Sequence, residues 1–199
     1  MLYKLLRDSP TFFAKPETFP GRWVYDIRKA FHPSKKGEPP MTDEQFTPLA
    51  ERYMDTVFRV AYSYLRCRDD ADDVTQDVLI QLYKQEKAFE SDAHVKNWLI
   101  RVTVNRCKNV LRAPWHRAED IADYENTLVF EQPQYRELFE AVMSLDRRYR
   151  LPVLLYYYEG YRQREIAGLL DIPEETVRTR LARAREKLKH ILSEVPQYA

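Results

Sequence analysis

Apolar residues recur three or four positions apart over most of the chain's C-terminal four-fifths. Phe46, Leu49, Tyr53, Val57, Val60, Ala61 and Tyr64 make one such series and predict an amphipathic helix over about 43–66. Thr42 followed by Gln45, with Asp43 and Glu44 between them, has the pattern of a capping box and marks the helix start. A second helix begins near Asp70 and carries Val74, Val78, Leu79 and Leu82. A third covers about 95–112 and stops before Pro114. The stretch "FESDAHVKN" ahead of it reads as a loop that holds Phe89, Ser91, Asp92 and His94.

The pattern resumes after residue 134. Tyr135 to Ser144 predicts one helix, and Asp146 caps another that runs to Glu159, with Pro152 in its first turns where a missing N–H costs least. "QREIAGLL" and "PEETVRTRLARAREKLKH" then predict two helices separated by a few residues. Elsewhere the periodicity fails. Residues 1–40 contain six prolines, leaving room only for a short amphipathic piece around Trp23 to Phe31, and "HPSKKGEPP" reads as a linker. Residues 113–134 hold no sustained period. The expected fold is therefore all-α, with two small helical domains at 41–112 and 135–195, a flexible acidic linker at 113–134 and an extension at 1–40.

Composition supports helices, since only four glycines accompany abundant Leu, Ala, Arg, Glu and Gln. The mean hydropathy of −0.62 and the lack of an apolar run near the ~20 residues of a membrane span predict no membrane insertion. "MLYKLLRDSPTFF" has no apolar core before a small-residue cleavage site, so a cytoplasmic protein is expected. Cys67 and Cys107 stand apart with no CxxC and no histidine pair, which suggests reduced thiols, no zinc site and no cofactor.

The net charge of +1 conceals segregation. Residues 1–40 carry eight basic and four acidic groups, whereas 113–134 carry one and five. Such a distribution suits a chain that presents different faces to different partners.

The last two predicted helices have the layout of a helix-turn-helix. Ala167 is small where the helices would cross, Asp171 sits where a left-handed residue is needed, Ile172 and Val177 would lock the pair, and Pro173 starts the second helix. On a helical wheel Val177, Leu181, Ala184 and Leu188 form one apolar stripe. Glu175, Thr176, Thr179, Ala182 and Arg183 lie opposite, with Arg178 and Arg185 on one edge and Arg180 and Lys187 on the other. Short polar side chains and one arginine between cationic shoulders suit base edges and phosphates of a major groove.

The helix "VKNWLIRVTVNRCKNVLR" sorts in a similar way. Arg101, Asn105, Lys108, Asn109 and Arg112 share a side with Trp98, while Ile100, Thr103, Val104, Cys107, Val110 and Leu111 take the other. Cations and amides on one stripe suit an unstacked strand, and Trp98 either joins them or turns inward as a core anchor.

Three stretches in this order, "DDADDVTQDVLIQLYK", "FESDAHVKNWLIRVTVNRCKNVLR" and "YYYEGYRQREIAGLLDIPEETVRTRLARAREKLK", resemble the extracytoplasmic-function sigma factors of bacterial RNA polymerase. The resemblance covers about residues 42–192 and implies a sigma region 2 bundle followed by a region 4 helix-turn-helix. It implies that Asp73, Gln76, Asp77 and Ile80 dock on core RNA polymerase. It assigns Phe89, Asp92, Asn97, Arg101, Asn105 and Lys108 to the single-stranded minus-ten element of promoter DNA. Glu175, Thr176, Arg178, Thr179, Arg180 and Arg183 would meet the duplex minus-thirty-five element. An anti-sigma factor is a further expected partner. The family pattern begins near Met41, so residues 1–40 are either not translated or a regulatory arm.

Two other functions compete with that expectation. The "DDADD" run resembles the aspartate-rich magnesium sites of helical prenyl-diphosphate enzymes, but no second carboxylate cluster accompanies it, and Asp69 and Asp70 instead favour a helix start. No enzyme is expected. A stand-alone helix-turn-helix regulator with a sensing or dimerising bundle is the nearer rival; it would bind operator duplex unaided.

Overall fold

A computed structural model of the chain describes residues 41–113 and 133–193, in two compact units that are each built from helices alone among the described residues. The readings for the 1–40 extension, for the 114–132 part of the linker and for the last six residues lie outside the described residues.

Among the described residues the first unit holds three helices: α1 (Asp43–Leu65), α2 (Arg68–Tyr83) and α3 (Asp92–Arg112). The Thr42 N–H donates to Gln45 Oε1 at 3.2 Å, the reciprocal half of the capping box anticipated from the sequence. Asp69 and Asp70 lie in the first turn of α2, where carboxylates face the positive end of the helix dipole. α1 ends on Arg66 in a left-handed conformation, φ 60°, with its N–H donating to the Tyr62 carbonyl at 2.9 Å. The core is the common side of the three helices. Phe46, Val57, Val60 and Ala61 meet Val78, Leu79 and Leu82 from α2 and Leu99, Ile100 and Cys107 from α3, all buried. Two buried threonine hydroxyls bond within their own helices, Thr103 to the Leu99 carbonyl and Thr75 to that of Ala71.

One expectation in this unit is corrected. The stretch read as loop as far as Asn97 turns helical at Asp92, because Ser91 is an N-cap whose hydroxyl accepts from the His94 N–H at 3.1 Å. Asp92, His94 and Asn97 therefore belong to α3, and Phe89 alone of the assigned strand-binding residues stands on the connection.

The second unit comprises α4 (Pro133–Ser144), α5 (Arg147–Val153), a single wide turn at Leu154–Tyr158, α6 (Gln163–Leu170) and α7 (Glu174–Ser193). The sequence predicted one regular helix from Asp146 to Glu159. Instead the Glu159 N–H reaches the Leu154 carbonyl five residues back, so the backbone widens after Pro152, whose ring leaves the ladder short of a donor. Pro152 is the sixth residue of α5, in its second turn. Asp146 occupies the N-cap position, yet its carboxylate makes no capping bond and pairs with Arg148 at 3.4 Å.

Arg150 is 2% exposed in this unit. Its Nη1 donates to the Met143 carbonyl at 2.6 Å and to the Leu145 carbonyl at 3.2 Å. These lie at and just beyond the C-terminus of α4, where carbonyls lack helical partners and a cation is favoured. The unit's core is built from Leu138, Phe139, Val142 and Met143 with Leu154, Ile166, Val177 and Leu181, all buried.

Candidate nucleic-acid interface

In α7 the anticipated apolar stripe is the buried one: Val177, Leu181, Ala184 and Leu188 are each wholly inaccessible. That burial fixes the rotation of the helix. Glu175 and Arg183 consequently stand exposed and Thr176, Thr179 and Ala182 half-buried on the other side. The turn ahead of α7 is built on Asp171 in the left-handed region, φ 55°, as its place in the sequence suggested. The Ala167 carbonyl accepts from both the Asp171 and the Ile172 N–H, and the Pro173 carbonyl opens α7 by accepting from Thr176 and Val177. The start of α6 is fixed by the Arg162 N–H on Glu165 at 2.7 Å.

The cationic shoulders are engaged within the unit rather than extended. Arg178 forms an ion pair with Glu175, its Nε lying 3.3 Å from the carboxylate. Arg185 donates to the Tyr157 hydroxyl at 3.5 Å, and the Lys187 ammonium lies 5.9 Å from the Tyr149 ring centre. Arg180 is half-buried. Arg183, exposed at the middle of the outer face, has no ion pair with another described residue.

On α3 the residues assigned to an unpaired strand also share a side. Arg101 and Asn105 are exposed and Asn97 and Lys108 half-buried, at spacings of four, four and three that align them along the helix. Trp98 takes an intermediate position, half-buried, with its ring 5.6 Å from that of Phe89 in an edge-to-face contact. Phe89 makes a second edge contact with His94 at 5.5 Å. Trp98 therefore supports the loop rather than entering the core. Val110 and Leu111, expected on the inner side, are only half-buried toward the helix end.

Asp92 is engaged more closely than the sequence indicated. Its carboxylate accepts from Arg52 Nη1 at 2.7 Å, and its main-chain carbonyl accepts from the Tyr53 hydroxyl at 3.3 Å. The Tyr53 hydroxyl and then Arg52 hold the Asp92 carboxyl below the usual carboxylate range. Burial, and then the neighbouring Asp92, pushes the Tyr53 phenol up to about 12. Because the folded value is raised, this group's contribution to stability is complete below the ordinary phenol value of about 10 and is lost as pH climbs through about 12. Asp92 behaves oppositely, contributing above the ordinary carboxylate value and losing that contribution as pH falls below it. In an alkaline titration of tyrosinate absorbance, Tyr53→Phe should remove a component that titrates near pH 12 and leave the earlier ones in place. Loss of a component near the ordinary value would mean that Tyr53 is solvated.

The four α2 residues assigned to the polymerase, Asp73, Gln76, Asp77 and Ile80, line one outward stripe, with Asp73 and Asp77 exposed and Gln76 and Ile80 half-buried. Arg106 of α3 reaches Asp77 at 3.8 Å. With its amide turned to match, Gln81 accepts from the same guanidinium at 2.7 Å. Within the first unit, α2 thus turns a mixed acidic and apolar edge outward while α3 turns a basic and amide edge. Neither arrangement holds a nucleophile with its base.

A three-helix bundle and a helix-turn-helix with an arginine-bearing outer face define a transcription-factor architecture of two modules. Family models match both. Residues 49–117 match Sigma-70 region 2 and residues 135–188 match Sigma-70, region 4. The ECF RNA polymerase sigma factor SigM of Mycobacterium tuberculosis is 30% identical over 158 residues, spanning 74% of this chain and 76% of that protein. The ECF RNA polymerase sigma-E factor of Haemophilus influenzae is 29% identical over 164 residues, covering 73% and 86%. Among solved structures, the sigma factor RpoE bound to the anti-sigma factor NepR from Bartonella quintana aligns with a TM-score of 0.57 at 20% identity, covering 77% of this chain and 99% of that one. The chain belongs to the extracytoplasmic-function sigma factors of RNA polymerase. That membership sets aside the stand-alone regulator. No helix among the described residues is long and apolar enough to cross a membrane.

Proposed function

We propose that the chain binds core RNA polymerase and directs it to promoters, with α7 reading the minus-thirty-five element as duplex and the Phe89 connection and α3 holding the minus-ten element as a single strand. The observation that carries this reading is the pair of differently built polar faces, one in each unit. The face of α7 mixes short polar groups with Arg183, as major-groove readout requires. The α3 stripe of Asn97, Arg101, Asn105 and Lys108 beside Phe89 offers amides, cations and an aromatic ring, which suit bases already out of the stack. Unstacking costs a few kcal/mol, and contacts to the extruded base offset it.

Asp73, Gln76, Asp77 and Ile80 dock on the polymerase in this reading. The near-neutral chain, with 32 basic and 31 acidic residues, has little counterion release to draw on and binds DNA poorly by itself. The RpoE structure contains the anti-sigma factor NepR and that of CnrH contains the cytosolic domain of CnrY, and an anti-sigma factor is proposed for this chain as well. The assigned domain limits, 41–112 and 135–195, belong to the same proposal, as does a cytoplasmic location.

Run-off transcription with purified core polymerase and genomic fragments tests the proposal. The complete chain should form a stable complex with core and yield discrete transcripts, and should retain duplex DNA only weakly without it. A chain that ignores core polymerase and binds duplex tightly unaided would refute it.

A further inference from the structure

We infer that Arg52 and Tyr53 are positioning residues for strand capture, acting through Asp92. The inference rests on the reading of the Phe89 connection given above and adds to it two residues of α1 that touch neither DNA nor polymerase in that scheme.

The two neighbours on α1 grip different atoms of one residue some 40 positions later. Arg52 holds the Asp92 carboxylate at 2.7 Å, and Tyr53 holds its main-chain carbonyl at 3.3 Å. Asp92 is the first residue of α3, immediately after the Ser91 cap. Upstream, the Glu90 N–H donates to His94 Nδ1 at 3.4 Å, and Phe89 lies edge-on against His94 and Trp98. Four successive residues, Phe89 to Asp92, are thus each tied to α1 or α3.

A cleft of about 490 Å³ lies between the two sides of this attachment. Met41, Gln45 and Leu49 of α1 and its lead-in form one wall, and Phe89, Ser91 and Val95 form the other. The width of the cleft depends on how far the 85–92 segment stands from α1. The Arg52 and Tyr53 contacts set that separation at one end.

The ion pair is about three-fifths exposed on both sides, and such pairs contribute little to stability. Its value is geometric. A preformed cleft spares the ordering cost that a loose segment would incur when a base arrives. The resemblance assigned Asp92 to DNA directly, whereas here its carboxylate is directed to α1, so Asp92 serves by fixing the segment.

The test uses the complete chain assembled with core polymerase on a pre-melted minus-ten template, with Arg52→Ala, Tyr53→Phe, Asp92→Asn and the Arg52→Ala/Asp92→Asn double variant. Arg52→Ala and Asp92→Asn should each raise the half-saturating template concentration roughly fivefold and flatten the preference among minus-ten bases. The double variant should be no worse than either alone, since coupled residues are not additive. Tyr53→Phe should give a smaller loss, Arg52→Lys should recover part of the Arg52→Ala defect, and core affinity should stay unchanged throughout.

Additive defects, or a loss with Asp92→Asn and none with Arg52→Ala, would overturn the inference, because Asp92 would then be touching the strand itself. Phe89→Ala separates this result from failure of the underlying reading. If Phe89→Ala weakens capture while Arg52→Ala does not, only the positioning role falls; if Phe89→Ala also has no effect, the assignment of the segment to the strand falls with it.

Discussion

Replacing Arg183 with alanine should lower run-off transcription from a cognate duplex promoter by roughly fivefold to somewhat over a hundredfold, the loss of one good base contact at roughly 1–3 kcal/mol. Core-polymerase affinity should not change. Arg183 is singled out because burial of Val177, Leu181, Ala184 and Leu188 leaves it exposed on the far side of α7. Among the arginines of that helix, Arg178 is tied to Glu175 and Arg185 to Tyr157. Removing either of those would disturb an internal contact, and the result would be ambiguous. Arg183→Ala leaves no ion-pair partner behind among the described residues. A base-specific role also predicts relaxed preference at one position of the minus-thirty-five element, while a phosphate contact predicts a uniform loss and a shallower dependence on salt. An equal fall in core affinity would contradict the assignment of α7 to DNA.

The second large effect concerns folding. Arg150→Ala should destabilise the C-terminal unit by about 3 kcal/mol or more, since hydrogen bonds to a charged group contribute about 1.5–3 kcal/mol each and its Nη1 alone donates two. The substitution also leaves carbonyls at the end of α4 without donors in a place water reaches poorly, and empties the volume of a large side chain. Urea unfolding followed by circular dichroism gives the measurement. Arg150→Lys should recover part of the loss, because an ammonium keeps the charge at the helix terminus but lacks the guanidinium fork. A change within about 0.5 kcal/mol, typical of surface positions, would mean that the Arg150 bonds do not form in solution.

Arg150 also shows where sequence reasoning stops. Charged residues are seldom fully buried, and nothing in "LDRRYRLPV" distinguishes the inward arginine from Arg147 and Arg148, which are exposed. The elements that could be read in advance were those whose determinants are local. The Thr42–Gln45 pair opens α1, the Val177 series faces the core, and Asp171 takes the left-handed turn, each from neighbours within one or two helical turns. Ser91 was a missed local signal: a serine followed by Asp92 is a good helix start, but the absence of apolar residues before Val95 made the segment look like loop.

Tertiary partners were not legible in the same way. Arg52 and Asp92 are 40 residues apart, and no periodicity joins them. Nor does a wheel reveal that Arg106 bridges to Asp77 and Gln81. For the α3 and α7 faces, by contrast, the wheel placed the assigned residues together because a buried stripe dictates what its opposite side must be. Which of them touch DNA is a question for the substitutions above.

The wide turn at Leu154–Tyr158 also bears on how this segment tolerates change in length. It takes up one more residue than a regular coil would, so every side chain beyond it is rotated by about 100° relative to an uninterrupted helix. Tyr157 faces inward while Tyr156 and Tyr158 are partly solvent-facing. Exchanging one tyrosine for another large residue keeps that phase. Deleting any one of the three would let the coil tighten to a regular turn and leave the corner at Gly160 in its present phase, whereas adding a residue there would swing that corner through about 100° and carry α6 and α7 out of register with their own core.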